Sequence, residues 1–556
     1  MIFDYIIVGA GSAGCVLANR LTTDPDRSVL LVEAGGPDTK MEIHIPAAYT
    51  KLHGSSVDWG FWTEPQTALN GRRMYQPRGK TLGGCSSTNA MAYVRGNALD
   101  YDDWAALGNK GWSYQDVLPY FIRSEHHEQY DQLDHRYHGK TGPLNVTYAT
   151  RFQTPLAGAF VEACQQVGIL YTDDYNGANQ EGVSLCQFTM KNGRRHSAAS
   201  AFLKPVLKRS NLKVITYAHT AQILFQYDRA VGIEFIAGKN RVQRVTARKE
   251  VILSAGAFQS PQLLMLSGIG PADTLRSVGI TVKKELPGVG QNLQDHVFTG
   301  ISSLSSQRGS SANFHLKPLN QLKGLLQYLI HKTGPLTLGP LEAVAFLKTD
   351  YLLSKTTLDH PSARHIQSDR VDMQFHFVPA HFGNDDRTDI YKLATYPYTD
   401  GYTILPTLLK PESRGNITLR SDNPLDAPVI QPNYFAEEAD RYVLISGLRK
   451  AIDVSQADAF SPYSMGINMP LRYSSDEALW QHIVNRVETV YHPVGTCRMG
   501  PDTDEMAVVD DSLRVKGIDG LRVVDASIMP SIVSGNTNAP VIMIAEKAAD
   551  LILNNL

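Results

Sequence analysis

Short apolar runs that alternate with glycine-rich turns open the chain and predict an α/β fold. The apolar run at residues 5–8 predicts a buried strand, and residues 13–21 have the apolar spacing of a helix. Between them lies the sequence GAGSAG of residues 9–14, and residues 29–33 predict the next strand. The order of strand, glycine-rich turn, helix and strand is typical of a parallel sheet in which the helix N-terminus can hold a pyrophosphate.

The rest of the chain changes its pattern twice. Residues 41–77 are irregular and rich in proline, glycine and aromatic side chains, which indicates a surface excursion that could cover a ligand. Between 300 and 470 the pattern differs from the beginning, with an amphipathic stretch at 322–330 and an alternating run at 373–378. Further strands are predicted at 212–216, 223–225, 230–235, 250–254 and 521–524, followed by an apolar helix at 541–553.

These patterns favour two domains, as does a length of 556 residues, which exceeds what one core usually covers. We predict that the first domain is discontinuous and consists of residues 1–155, with the excursion 41–77, together with 195–299 and 491–556. The second domain would consist of residues 156–194 and 300–490.

Composition and charge exclude several classes of protein. The chain is 43% hydrophobic and 19% charged, as expected of a globular enzyme rather than a disordered chain. Its 53 Lys and Arg nearly balance 55 Asp and Glu, so a nucleic-acid partner is not expected. The five cysteines are odd in number and contain no C-x-x-C pair, so we expect no metal site and a reducing compartment.

The same considerations predict a cytoplasmic protein. The N-terminus has no basic leader, and no apolar run reaches the eighteen residues that a spanning helix needs. Attachment to the inner membrane surface stays open, because the stretch 322–330, flanked by Lys323 and His331, could lie on a bilayer. Such a stretch is more often a core helix. The sequence leaves the oligomeric state open.

A dinucleotide site is predicted at the first glycine-rich turn. Its spacing is G-x-G-x-x-G, in which glycines allow a tight turn and close approach of backbone N–H groups to phosphate. Glu33 ends the following strand, where a carboxylate can bind ribose hydroxyls. The alternative is a glycine-rich turn beside a solvated Glu, and the motif alone does not separate FAD from NAD. The candidate contacts are Gly9, Gly11, Ser12, Ala13, Gly14, Glu33 and Ala34.

Four further segments add to this motif. They are GKTLGGCSSTNAMAYVRG at residues 79–96, GAFQSPQLLMLSGIG at 256–270, PGVGQNLQDH at 287–296, and the pair HPVGT at 492–496 and GNTN at 535–538. With the opening unit, these segments resemble the glucose–methanol–choline (GMC) family of flavin oxidoreductases nearly end to end. The pattern is similar to that of bacterial choline-dehydrogenase-like and aliphatic alcohol dehydrogenases.

The resemblance implies a fold and a cofactor. The fold would be a Rossmann-like FAD-binding domain with an α+β substrate domain built on a mostly antiparallel sheet. Some choline-oxidising members attach FAD covalently through a His before the Asn of the second segment, but Thr88 precedes Asn89 here. The FAD should therefore be bound non-covalently. The further cofactor contacts implied are Gly83, Asn89, Ala90, Asp525, Ala526, Asn536 and Thr537.

Oxidation of an alcohol requires a base for the hydroxyl proton and an acceptor for the hydride. His492 is the candidate base, since an imidazole of pKa about 6.5 is neutral near pH 7. A His before Pro is usually structural, but the family carries its catalytic His in this motif. Asn536 matches a family position that can bind the substrate oxygen, or it orders its own turn. The resemblance further implies that the helix near Pro540 directs its positive N-terminal end at the flavin.

Two residues of the second domain are candidates for the substrate pocket. Glu342 matches a Glu of choline-oxidising relatives, where a carboxylate with aromatic neighbours can hold a quaternary ammonium. Pro340 and Leu341 precede it instead of aromatics, so choline is not favoured. His376, on the alternating run, is the second candidate, although it and His381 are more often packed or solvated than catalytic.

The function predicted is oxidation of an alcohol to an aldehyde by hydride transfer to flavin N5. The electrons would pass to a quinone or another acceptor. Alternatives are a choline dehydrogenase, an oxidase that uses O₂, and a lyase that keeps FAD for structure alone. A protein without catalysis is disfavoured because both active-site positions hold competent residues.

Overall fold

A seven-stranded sheet holds the first strand of the chain at its centre. The computed structural model describes residues 1–238, 241–350, 370–382, 388–467 and 475–554. Parallel pairs join the strands that the apolar runs predicted, and an antiparallel hairpin extends one edge. The strand order is Leu212–Ile215, Val29–Val32, Ile2–Val8, Arg241–Leu253, Arg229–Ala237 and Ala218–Gln226, with Leu521–Val523 paired to Arg241–Leu253.

Two helices from opposite ends of the chain pack against each other, and the first of them packs on this sheet. They are Ser12–Leu21 and Asn538–Leu553, whose facing residues are almost all buried. Between them, the fully buried Glu546 carboxylate accepts from Arg20, with N···O distances of 2.6 and 2.8 Å, and also pairs with Arg123. A buried carboxylate is tolerated because it is paired on both sides. The last helix of the chain thus packs beside its first helix.

An eight-stranded antiparallel sheet forms the second layer. Its central strands are buried on both faces, since helices cover one side and a cavity lies on the other. The strand order is Ser464–Ile467, Ile301–Ser305, Gly401–Leu408, Met373–Val378, Ala343–Leu347 and Gly182–Leu185, with Val297–Phe298 joining Gly401–Leu408 to Glu488–Thr489.

Helices and small sheets complete the described ranges. The remaining α-helices are Met41–His44, Ala98–Ala106, Tyr114–Ser124, Pro155–Gln166, Gly256–Leu266, Ala272–Ser277, Pro318–His331, Glu438–Gln456 and Asp476–Arg486. Short strands are Phe61–Trp62, Tyr75–Gln76, Glu125–His127, Leu144–Tyr148, Gln187–Phe188, Met190–Lys191, Arg194–Arg195, Ile269–Gly270, Lys284–Glu285, Asn416–Thr418 and Val429–Gln431. Within the described ranges, every helix is too short or too polar to cross a membrane.

The predicted fold class is confirmed, with differences at the ends of elements. The last helix begins at Asn538 rather than at Val541, because Pro540 is tolerated in the first turn, where no backbone N–H is needed. The run 373–378 alternates in sequence, but its polar members Gln374 and His376 are as buried as its apolar ones. His376 lines the cavity rather than facing solvent, and Gln374 contacts Asn536. The domain limits stay a prediction.

Candidate active site

A cavity of about 820 Å³ lies between the two sheets and reaches from the glycine-rich turn to the second sheet. That volume is within the range of cofactor and ligand pockets. The predicted site residues in its lining are Gly9, Gly11, Ser12, Ala13, Glu33, Ala34, Asn89, Ala90, His376, His492, Asp525, Ala526, Asn536 and Thr537. Chain segments that are hundreds of residues apart in sequence therefore meet at one site.

Two of the predicted glycines, Gly14 and Gly83, do not line the cavity but hold the segments that form it. A Cβ on Gly14 would lie 1.9 Å from the carbonyl oxygen of Gly9, so only glycine lets the helix pack on the turn. Gly83 has a φ of +88°, and its N–H donates to the carbonyl of Ala10 at 2.7 Å. The second glycine-rich segment is thereby bonded directly to the first.

The N-termini of two helices border the cavity, and neither has a side-chain cap. Gly11 precedes Ser12–Leu21 and Thr537 precedes Asn538–Leu553, and no acidic residue lies in either first turn. Ser12 Oγ donates to Asn538 Oδ1 at 2.7 Å, which ties the two N-termini together. Uncapped N–H groups carry partial positive charge and bind anions. The arrangement fits a pyrophosphate at the first helix and an electron-rich ring edge at the second.

Glu33 is held at the far end of the same turn. Its carboxylate accepts from the backbone N–H groups of Ala10 and Gly35, both at 2.8 Å, and burial raises its pKa to about 7. The side chain is 6% exposed and lines the cavity. A buried carboxylate fixed this way can accept from ribose hydroxyls, which are the donors a dinucleotide would offer.

The segment 79–89 lies across the glycine-rich turn. A Cβ on Gly84 would lie 2.7 Å from the Cα of Gly11, so the two backbones touch. Asn89 Oδ1 accepts from Met91 N at 3.0 Å and from the buried Arg195 guanidinium at 2.7 Å. Thr88, beside it, lines the cavity. This close backbone contact explains the paired glycines of the segment.

A short strand pairing brings His492 to a second histidine. Glu488–Thr489 pairs with Val297–Phe298, so Val490 N donates to the His296 carbonyl at 2.9 Å. Tyr491 then has a φ of +67°, an unusual value for a non-glycine residue, and His492 N donates to Asp295 Oδ1 at 2.9 Å. The chain therefore turns sharply just before His492 and presents its ring to the cavity.

The hydrogen bonds of the His296 and His492 rings determine which nitrogen of His492 carries the proton. His296 Nε2 lies 2.9 Å from the Leu409 carbonyl, which can only accept, so Nε2 carries the proton. Burial lowers the pKa of His296 to about 3, so its ring is neutral and its Nδ1 must accept. His492 Nδ1, 3.0 Å from that atom, is therefore the donor. The Nε2 of His492 is left with a lone pair.

His492 is itself 9% exposed, and burial, with smaller contributions from the neighbouring His296, His376 and Arg78, lowers its pKa well below its usual range. The ring is neutral at pH 7. Its Nε2 lies 3.3 Å from Asn536 Nδ2. The loop that carries Asn536 is anchored by Ser534, whose backbone N–H donates to the buried Asp100 at 2.5 Å.

Two orphaned polar atoms lie near this pair. Gln374 Nε2 is 3.4 Å from Asn536 Oδ1, while Gln374 Oε1 is buried without a hydrogen-bond partner in the described part of the chain. His376 Nδ1 lies 3.0 Å from Thr407 Oγ1, and its buried Nε2 also lacks a partner among the described residues. Burial lowers the pKa of His376 to about 4, and the nearby Asn536 side chain acts in the opposite direction. The unpaired Nε2 of His376, which lines the cavity, is a candidate partner for a polar ligand.

Glu342 lies outside the cavity lining. Its Oε1 accepts from Thr154 N at 2.7 Å, its other oxygen binds the Thr154 hydroxyl, and the residue is fully buried. Burial raises its pKa to about 7. The preceding Leu341 and Pro340 line the cavity instead. This position does not support contact between the Glu342 carboxylate and a substrate ammonium.

Sequence reasoning missed three residues that hold the site together. His296, Asp295 and Gln374 contact His492 or Asn536 directly. Asp295 and His296 end the segment 287–296, which the sequence analysis used only for the family resemblance. The adjacent Asp and His were a sign that this segment could also contribute polar side chains to the site. Gln374 lies two residues before His376. Because side chains alternate between the two faces of a strand, the sequence could have predicted that both lie on the same face.

Comparison with known proteins supplies the family. The sequence model of the N-terminal part of the GMC oxidoreductases matches residues 3–298, and that of the C-terminal part matches residues 411–545. The chain belongs to the GMC oxidoreductase family. It is therefore an oxidoreductase, and the resemblance drawn from the five segments is confirmed.

Relatives of this GMC oxidoreductase cover its full length. An alcohol dehydrogenase (acceptor) of Pseudomonas putida is 43% identical over 100% of this chain and 96% of its own. The mitochondrial choline dehydrogenase of Homo sapiens is 42% identical over 99% of this chain and 89% of its own. A solved variant of the Aspergillus oryzae formate oxidase, studied for its FAD modification, has a TM-score of 0.90 at 28% identity and covers 100% and 98% of the two chains.

Proposed function

We propose that this GMC oxidoreductase oxidises an alcohol to an aldehyde with bound FAD, and that His492 accepts the hydroxyl proton. The observation that carries the proposal is the lone pair left on Nε2 of a buried, neutral His492. That atom lies in the cavity that also contains two uncapped helix N-termini. A base and an anion-binding surface in one cavity suit alcohol oxidation by a dinucleotide cofactor.

The residues present fit FAD. Gly11, Ser12 and Ala13 would bind the pyrophosphate, Glu33 the adenosine ribose, and Asn89 with the Asn538 helix N-terminus the ring end. FAD, when bound, supplies the acceptor for the hydride that leaves the carbinol carbon. We infer non-covalent binding, because Thr88 has no ring nitrogen for attachment at the position where some relatives carry His.

His492 would take the proton at Nε2 and become an imidazolium. The new charge is shared with its surroundings, because Nδ1–H already donates to His296 and the backbone N–H to the buried Asp295. Burial makes the charged ring unfavourable once the proton has been accepted, which favours its later release. His296 is a positioning residue in this scheme, since it holds the tautomer that leaves Nε2 unprotonated.

Asn536, His376 and Gln374 would bind the substrate oxygen. Asn536 Nδ2 is a donor beside His492 Nε2, so an oxygen bound between them could lose its proton to the ring while keeping a hydrogen bond. The orphaned His376 Nε2 and Gln374 Oε1 offer further partners for a hydroxyl.

Uncharged alcohols fit this cavity better than choline. The cavity residues near His376 include the apolar Phe298, Val378 and Leu405 of the second sheet, and Leu341 just before the strand Ala343–Leu347. The carboxylate of Glu342 accepts a hydrogen bond from Thr154 N, and Glu342 does not line the cavity. We therefore infer that the substrate is a primary aliphatic or aromatic alcohol, and that the electrons pass to a quinone or another carrier. The name of the Pseudomonas relative specifies only an acceptor.

Anaerobic titration of the flavin with a panel of alcohols tests the function. We expect a medium-chain alkanol to bleach the flavin more effectively than choline does. A panel that leaves the flavin oxidised would indicate a lyase and contradict the proposal. If O₂ reoxidises the reduced flavin and forms stoichiometric peroxide, the protein is an oxidase. If a quinone analogue reoxidises the flavin and O₂ forms little peroxide, the result supports a dehydrogenase.

A further inference from the structure

Arg195 is a buried cation that has no carboxylate partner. Three arginines are buried in the described part of the chain, namely Arg95, Arg195 and Arg522, with exposures of 1, 3 and 2%. Arg95 pairs with Glu125 at 3.0 Å. Arg522 pairs with Glu250 at 2.8 Å. Arg195 alone of the three lacks an ion pair with any described residue. An unpaired buried charge is costly, so its presence requires a reason.

Neutral acceptors hold the Arg195 guanidinium in place. Its Nε donates to the Ile43 carbonyl at 2.8 Å, and its Nη1 donates to Asn89 Oδ1 at 2.7 Å and to the Ser86 carbonyl at 3.3 Å. Its Nη2 is buried and has no hydrogen-bond partner within the described ranges. Burial lowers the pKa of Arg195 to about 9, so the group still carries its charge at pH 7. The charge is therefore fixed in position but not compensated.

Asn89 connects this charge to the cavity. Its Oδ1 accepts from Arg195 Nη1 and from Met91 N, and because both of these atoms can only donate, the orientation of the amide is determined. The Nδ2 group of Asn89 is then left as a donor for the cavity, which Asn89 lines and Arg195 does not. A hydrogen bond from a cation polarises the amide and strengthens Nδ2 as a donor.

Reduction of the cofactor supplies the missing negative charge. A flavin ring that accepts a hydride from the alcohol carbon gains one negative charge, while the hydroxyl proton goes to His492. We propose that Arg195 is a positioning residue that acts through Asn89 and makes the bound flavin easier to reduce. A fixed positive charge close to the ring stabilises the reduced state more than the oxidised state. This inference rests on the FAD binding of the proposed function.

The midpoint potential of the bound flavin, titrated with dithionite against a reference dye, tests the role of Arg195. In Arg195→Met the ratio of reduced to oxidised flavin at a given potential should fall at least about tenfold, a shift of about 30 mV for a two-electron couple. Arg195→Gln is also neutral but keeps a polar group, and it should show the same shift even if the Met variant does not fold. Arg195→Lys keeps the charge and should keep most of the wild-type potential.

Arg522→Met is the matched control. Arg522 is equally buried, but it has a carboxylate partner and does not line the cavity. Its loss should lower stability and leave the flavin potential unchanged. A wild-type potential in Arg195→Gln overturns the proposal, and so does a Lys variant whose potential is as low as that of the neutral variants. Weaker FAD binding with an unchanged potential would assign the charge to the pyrophosphate, which is an anion in both redox states, and would also overturn the proposal.

Because dithionite replaces the alcohol in this titration, the inference and the proposed function can fail separately. If alcohols leave the wild-type flavin oxidised but the neutral Arg195 variants still shift its potential, the proposed function fails and the role of Arg195 stands. If alcohols reduce the flavin but the wild type and the neutral variants have the same potential, only the role of Arg195 fails.

Discussion

At the scale of single residues, one interaction decides whether His492 can act as a base. His296 accepts the Nδ1 proton of His492 and is itself fixed by the Leu409 carbonyl. We expect His296→Leu to slow flavin reduction by about 10- to 100-fold, by analogy with the loss when a partner that orients a metal-ligating histidine is removed. His296→Gln should recover much of the rate, since an amide can accept from His492 and donate to Leu409.

Stopped-flow reduction of the two His296 variants at saturating alcohol checks this prediction. Equal rates in the Leu and Gln variants would contradict it, because a purely structural role depends on volume and not on an acceptor. Flavin content serves as the measure of intact folding in both variants.

A second residue gives a prediction about pH. Burial raises the pKa of Glu342 from its ordinary 4.5 to about 7, so the folded protein keeps a proton that the unfolded chain has lost between these values. Stability from this group therefore falls as pH rises through that window, by up to about 3 kcal/mol. In Glu342→Gln, which retains an acceptor for Thr154 N, this part of the pH dependence should vanish.

Urea unfolding of wild type and Glu342→Gln between pH 4.5 and 7 measures the difference. A constant gap between the two proteins across the window would show that the carboxyl is not held neutral. The Gln variant should also reduce its flavin with alcohol at the wild-type rate, because Glu342 lies outside the cavity lining.

At the scale of elements, the first helix depends on one contact with the first turn. A Cβ on Gly14 would overlap the Gly9 carbonyl, so Gly14→Ala must push Ser12–Leu21 away from the sheet. We expect a loss of about 1–3 kcal/mol of stability and weaker FAD binding. Gly158→Ala, in the exposed side of Pro155–Gln166 with no atom within 4 Å, should instead gain about 0.5–1 kcal/mol. Thermal unfolding and FAD titration distinguish the two, and similar effects at both glycines would contradict the account.

Sequence patterns were sufficient for elements whose partners are local. The opening strand, turn and helix follow from apolar spacing and glycine positions, and they lie within a few residues of their predicted limits. The outward direction of Leu322 and Leu326 did not follow, because an amphipathic stripe has the same spacing whether it faces a core or solvent. Nor did the pairing of His296 with His492, which depends on strands nearly 200 residues apart.

At the scale of the molecule, the cavity is built from both ends of the chain and from both sheets. A ligand that fills it therefore stabilises the whole native fold against unfolding. Removal of FAD should lower the melting temperature, and FAD at 100 times its Kd should restore about 2.7 kcal/mol.

Acid precipitation should release the flavin into the supernatant, since Thr88 offers no ring nitrogen for a covalent link. A yellow pellet would contradict non-covalent binding.

The most direct test of the central claim is the anaerobic rate of flavin reduction by a medium-chain alcohol in His492→Ala. The matched control is His482→Gln, since His482 is a buried histidine outside the cavity lining whose Nε2 contacts the Gly300 carbonyl. We predict that His492→Ala binds FAD but is reduced at least about 100-fold more slowly, while the control keeps the wild-type rate. A flavin-loaded His492→Ala protein reduced as fast as the wild type would show that this imidazole is not the base.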